Sequence, residues 1–164
     1  MSPYLIIVSL HVLAAITWLG GIFFFAMVGA PTLRNIDPPS LRARLFAAFG
    51  QRFRLVGWCA LTILVLTGLM NLGQKGLLDS SVLASRLFWQ SDLGQALAWK
   101  LSTVMVMLVL SAAHDFVLGP HSARLSAGSI EADRARRRAA WAARLNALVG
   151  TLVVLAAVRL ARGG

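Results

Sequence analysis

Four stretches of the chain are apolar over a length that can cross a bilayer, and the polar residues collect in the connections between them. A hydrocarbon core of ~30 Å takes about 20 helical residues at ~1.5 Å rise each. The stretches that qualify run over about 4–29, 55–73, 96–118 and 143–161. Lipid leaves no water to satisfy exposed backbone groups, so helix is the form expected of each. The pattern predicts an all-α protein, an integral membrane four-helix bundle built as one domain over 1–164. Within the first connection, Leu41-Arg42-Ala43-Arg44-Leu45-Phe46-Ala47-Ala48-Phe49 has helical spacing, which predicts an interfacial helix over about 41–54. The opening stretch lacks a basic flank and a small-residue cleavage signal, so it reads as a retained helix.

Charge turns this pattern into a topology. The first connection carries Arg34, Arg42, Arg44, Arg52 and Arg54 against Asp37, and the third carries Arg124, Arg134, Arg136, Arg137, Arg138 and Arg144 against Glu131 and Asp133. In the second connection Lys75 and Arg86 cancel Asp79 and Asp92. The positive-inside rule then puts connections one and three in the cytoplasm and both termini on the outer, periplasmic side of a bacterial inner membrane. Arg159 and Arg162 pull weakly the other way. A formal charge of +10 would suggest nucleic acid in a soluble protein, but no basic and aromatic face is interleaved here, so no nucleic-acid partner is expected. The partner is the lipid bilayer, with 58% of residues hydrophobic and 13% charged. Gly20, Gly21, Gly68 and Gly150 allow close helix approach, which fits packing within one bundle or a homodimer.

The candidate chemistry is confined to a few residues. Ionisable side chains in a span cost roughly 2.5–3.5 kcal/mol on insertion scales and so tend to mark a site; here they are His11, Lys100, His114 and Asp115. Lys100, Met107 and His114 recur at intervals of seven, near one stripe, with Thr103 and Ser111 beside it, so one face of the third span should look inward. His11 and Trp18 are seven apart on a small-residue face of the first span, and His11 is expected to point at the third. Counting rise per residue, His11, Lys100, Met105 and Met107 fall within ~5–15 Å of the outer boundary and His114 at ~25 Å, so the two histidines should not share a metal. Each candidate also has a structural reading: interhelical hydrogen bonding for the histidines, snorkelling for Lys100, packing for the methionines. Cys59 sits in an apolar run and reads as a small buried hydrophobe, leaving no disulfide framework. No Ser nucleophile with a base, no carboxylate pair and no phosphate loop is present; Gly73-Gln74-Lys75-Gly76 reads as the turn after the second span.

Several stretches carry a resemblance. His11-Val12-Leu13-Ala14-Ala15-Ile16-Thr17-Trp18-Leu19-Gly20-Gly21-Ile22-Phe23-Phe24, Ala30-Pro31-Thr32-Leu33, Gly50-Gln51-Arg52-Phe53-Arg54, Thr67-Gly68-Leu69-Met70-Asn71-Leu72 and Trp99-Lys100-Leu101 leading to His114 resemble the copper-resistance-D (CopD) type membrane domain. The first-span His and the Lys-Leu…His of the third also look, more distantly, like the HemJ-type protoporphyrinogen oxidases, small membrane proteins that bind b-type haem.

The resemblance implies two cofactor readings. In one, haem b lies in the outer half of the bundle, with His11 as axial ligand, Lys100 as second ligand, propionate partner or proton donor, Trp18 lining the pocket and Arg159 pairing with a propionate. The role would be redox, with quinone or an outer-side donor as partner and protoporphyrinogen oxidase-like oxidoreductase activity as the enzymatic form. In the other, copper is bound or moved across the membrane by His11, Met70, Met105 and Met107, with His114 at a deeper site. A non-redox accessory subunit, whose His and Lys only tie helices together, is the third reading.

Overall fold

A computed structural model describes residues 2–125 and 129–161, apart from the side chains of Ala123, Ala132, Asp133 and residues 159–161. All regular structure among the described residues is helical. In chain order the elements are α1 (Pro3–Phe24), a π-helical turn π1 (Phe25–Gly29), α2 (Ala30–Arg34), α3 (Pro39–Gln74), α4 (Ser80–Leu83), α5 (Arg86–Gln90), α6 (Asp92–Ala112), a second π-helical turn π2 (Ala113–Leu118), α7 (Gly119–Arg124) and α8 (Ile130–Ala161). Four helical segments are long and apolar enough to span a membrane: Pro3–Arg34, Pro39–Gln74, Asp92–Ser122 and Arg134–Val158.

Local sequence explains the helix ends. Ser2 caps α1, its hydroxyl accepting from the Leu5 amide, and Pro3 occupies the first helical position, where its missing N–H removes nothing. Ser91 caps α6 in the same way through the Gly94 amide. After α3, Leu77 N–H returns to the Leu72 carbonyl and Gly76 N–H to the Gly73 carbonyl, with Gly76 at φ +68°. That pairing closes a helix through a left-handed residue, which glycine adopts without Cβ strain.

Both π turns stand directly before a proline. A proline ring clashes with the carbonyl four residues earlier and offers no N–H to it; for Pro31 and Pro120 those carbonyls belong to Met27 and Phe116, inside π1 and π2. The widened turn absorbs the misfit and lets each span continue into a short helix.

Three boundaries differ from the sequence reading. The helix expected over 41–54 and the span over 55–73 are one uninterrupted helix, α3, because Pro39 is its last proline and Gly50 alone does not break it. The spans expected over 4–29 and 96–118 continue past their π turns. The last helix begins at Ile130, before its apolar part, since the Arg and Ala residues that precede that part are good helix formers.

The chain divides into two compact units, Met1–Phe88 and Trp89–Gly164. The first is a hairpin in which α1, π1 and α2 pack along α3; the second pairs α6, π2 and α7 with α8. The core of the first hairpin holds Ile7, Ala14, Trp18, Leu33, Ala60 and Leu61, and most other large apolar side chains face outward, as lipid permits. Cys59 is on that outward face, contrary to the buried position expected of it, because the inward face of α3 at this level is made by Gly57, Ala60 and Leu61.

Candidate functional site

The first hairpin is antiparallel, with residue numbers on α3 falling as those on α1 rise. His11 meets Thr67 and Gly68, Trp18 meets Gly57, Gly21 meets Phe53, and Phe25 of π1 meets Phe46 and Phe49. A Cβ on Gly21 would collide with Phe53 Cε2, so the absence of a side chain there is what admits the ring. Trp18, 5% exposed, fills the space above Gly57, where a Cβ would stand 3.8 Å from its Cδ1. The two glycines thus let α1 and α3 approach closely below His11.

His11 is half-buried, and its Nδ1 lies 2.8 Å from Thr67 Oγ1. The Thr67 hydroxyl has a single proton, and at 2.6 Å it donates that proton to the Ile63 carbonyl one turn back. A hydroxyl that spends its proton on Ile63 accepts from His11 in the Nδ1–H tautomer, whereas in the Nε2–H tautomer it would donate to Nδ1. An imidazole oriented through one nitrogen and basic at the other is how histidine is prepared as a metal ligand. The sequence reading aims His11 at the third span; this bond goes to the second, through a threonine that spacing did not single out. Thr67 and Asn71, four apart inside an otherwise apolar stretch, were the available signal.

In the second hairpin the polar contact is different. Ser111 and Asn146, each 5% exposed, join α6 to α8: Asn146 Nδ2 donates to Ser111 Oγ at 2.8 Å, and Ser111 donates to the Met107 carbonyl at 2.9 Å. Asn146 Oδ1 is buried without a hydrogen-bond partner. His114, three residues beyond Ser111, has its Nδ1 2.9 Å from Asp115 Oδ1.

The remaining expected ligands are spread along α6 and α8. Met107 is 5% exposed and Met105 61%, so the two thioethers take opposite sides of α6. Met107 and His114 are two turns apart, ~10 Å along the axis. Met70 on α3 is half exposed, and Lys100 on α6 is partly buried and engaged in interactions of its own. The Arg159 side chain lies outside the described residues. Among the described residues, no three His, Cys, Asp or Glu side chains gather in one place.

A family model described as "Copper resistance protein D" matches residues 47–160. An uncharacterized protein of Aquifex aeolicus is 29% identical over 155 residues, covering 94% of this chain and 92% of that protein. No solved structure matches significantly.

Proposed function

Because the chain belongs to the copper resistance protein D family, we propose that this multi-pass membrane protein binds copper within the membrane, with the His11 imidazole as its principal protein ligand. The observation that carries the reading is the 2.8 Å contact of His11 Nδ1 with the Thr67 hydroxyl, which fixes the orientation of an ionisable ring inside a membrane span. Neutral imidazole suits copper in either oxidation state, so the donor chemistry at His11 fits the ion. Copper bound there would supply a cation able to change charge by one electron or to be passed on. His11 would ligate it, Thr67 would orient His11, and Trp18 with Gly57 would seal the hairpin below.

The same imidazole supports haem b as a second reading. A haem brings four nitrogen donors of its own and asks the protein for one or two axial ligands, which suits a lone oriented histidine. A quinone-linked redox role would then follow. Either cofactor would be reached from the outer side of a bacterial inner membrane, with the Arg-rich connections inside.

Absorption spectra of the purified, detergent-solubilised protein, oxidised and dithionite-reduced, with copper and iron quantified on the same sample, separate the two. Copper near one ion per chain without a Soret band supports the first reading. A Soret band with sharp reduced α and β bands replaces it with the second, and a colourless protein that takes up neither metal removes both.

A further inference from the structure

The last helix, α8, has two faces of opposite character. Ala135, Ala139, Asn146 and Gly150 are buried and mark the side that packs within the hairpin, where Asn146 reaches Ser111 of α6. At ~100° per residue, Trp141 points to the opposite side, and Arg134, Arg137, Arg138 and Arg144 all fall within ~60° of it. Trp141 is 68% exposed. Leu145, Leu148, Leu152 and Leu155, all exposed, carry the same stripe ~21 Å further along the helix. One outward track thus passes from guanidinium through indole to aliphatic side chains. Between 131 and 144, Arg134, Arg136, Arg137, Arg138 and Arg144 stand against Glu131 and Asp133, five cations to two anions, an excess of three.

Arg144 ties the charged part of the track to the apolar part. It lies three residues beyond Trp141, and its guanidinium carbon is 5.8 Å from the centre of the Trp141 ring. Helical side chains lean toward their own N-terminus, so this arginine reaches back from the apolar side to the level of the indole. Stacking occupies the face of a guanidinium and leaves its N–H edge, which matches phosphate oxygens in pairs. Tryptophan at the end of a span sits among headgroups, with its ring in the acyl boundary.

We propose that this stripe of α8 is a binding site for an anionic phospholipid. Arg144 holds the phosphate, Arg137 and Arg138 supply further positive charge, and one acyl chain runs along Leu145 to Leu155. Charge complementarity selects the occupant: arginines clustered beside a span attract anionic headgroups, whereas the cation of a zwitterionic headgroup cancels that attraction. Free phosphate would use only the charged half of the track, and the lipid uses both halves.

The test uses the full-length protein in mixed micelles of detergent and phosphatidylcholine, into which phosphatidylglycerol or phosphatidylcholine with brominated acyl chains is titrated at equal mole fraction. Bromine quenches nearby tryptophan, and the quenching lost in Trp141→Phe belongs to this site. Phosphatidylglycerol is expected to associate about threefold or more strongly than phosphatidylcholine, and the preference to vanish in the double variant Arg137→Gln/Arg138→Gln. Arg144→Lys keeps the charge but loses the planar fork, so it should lower the preference by about half or more, and it carries the test if the double variant does not insert. Arg44→Gln/Arg52→Gln removes the same charge from exposed positions on α3 and should keep the wild-type preference. Equal quenching by the two lipids, an unchanged preference in Arg144→Lys, or an equal loss in the α3 variant overturns the site. Reversal of the quenching by inorganic phosphate overturns the lipid as its occupant.

Discussion

The two hairpins fasten their helices with the same local device and put different chemistry on it. In each, a hydroxyl on one helix lies in hydrogen-bonding distance of the carbonyl four residues back, Thr67 of Ile63 and Ser111 of Met107, and meets a side chain of the opposing helix. In the first hairpin the partner across the gap is the His11 imidazole; in the second it is the Asn146 carboxamide, donating from Nδ2. An imidazole that gives its proton away at one nitrogen retains a basic nitrogen on the other side of the ring. A carboxamide that donates from nitrogen has only a weakly basic oxygen left. The first hairpin is therefore joined through an ionisable ring and the second through a neutral pair. The attachment points differ too: His11 lies near the beginning of α1, and Ser111 near the end of α6, next to its π turn.

Replacing Thr67 with Val should have the largest effect of the substitutions that leave the ligand in place. It removes the acceptor that fixes the tautomer, and outer-shell partners of metal-bound histidines are typically worth 10–100-fold in affinity. Ring ¹⁵N shifts of His11 should move from the Nδ1–H form toward a mixture, and Thr67→Ser should restore both shift and affinity. A valine variant with wild-type shifts would mean that the hydroxyl does not set the tautomer.

Packing is the next test. Gly21→Ala must displace the Phe53 ring and should cost about 1–3 kcal/mol, the range for overpacking. Gly20→Ala, where a Cβ meets nothing within 4 Å, should be neutral or slightly stabilising. Unfolding of both variants in mixed detergent would compare them, and equal stabilities would contradict the close α1–α3 approach.

In the second hairpin, Asn146→Leu breaks the bond to Ser111 and relieves the buried Oδ1, two effects that oppose each other. The net loss should be near 0.6 kcal/mol, the average for interhelical bonds in membranes, with copper binding untouched. A fall in copper content would extend the site into the second hairpin. Cys59→Ala, on the outward face of α3, should change stability by less than about 0.5 kcal/mol; a larger loss would place that face against protein.

The four spans could be read from the sequence because the apolar runs are long and the arginines cluster between them. The extents of the spans could not be read as well. Pro31 and Pro120 look like helix stops, yet π turns carry α1 and α6 past them, and nothing in composition distinguishes an absorbed proline from a terminating one. His11 stood out because an ionisable residue in a span is rare. Thr67 did not, because threonine is mild enough to pass as incidental until the register of the hairpin sets it beside His11. The heptad spacing of Lys100, Met107 and His114, with Thr103 and Ser111 beside them, predicted one inward face; of these five side chains Met107 and Ser111 are buried, and the others are only partly so.

The central claim is that the first hairpin binds the cation and the second does not. Copper per chain, measured after loading and desalting the purified wild type, His11→Ala and His114→Ala proteins side by side, addresses it most directly. The account predicts near-stoichiometric copper in the wild type and in His114→Ala, and near-complete loss in His11→Ala. Copper retained by His11→Ala and lost from His114→Ala would contradict it and move the site to the second hairpin.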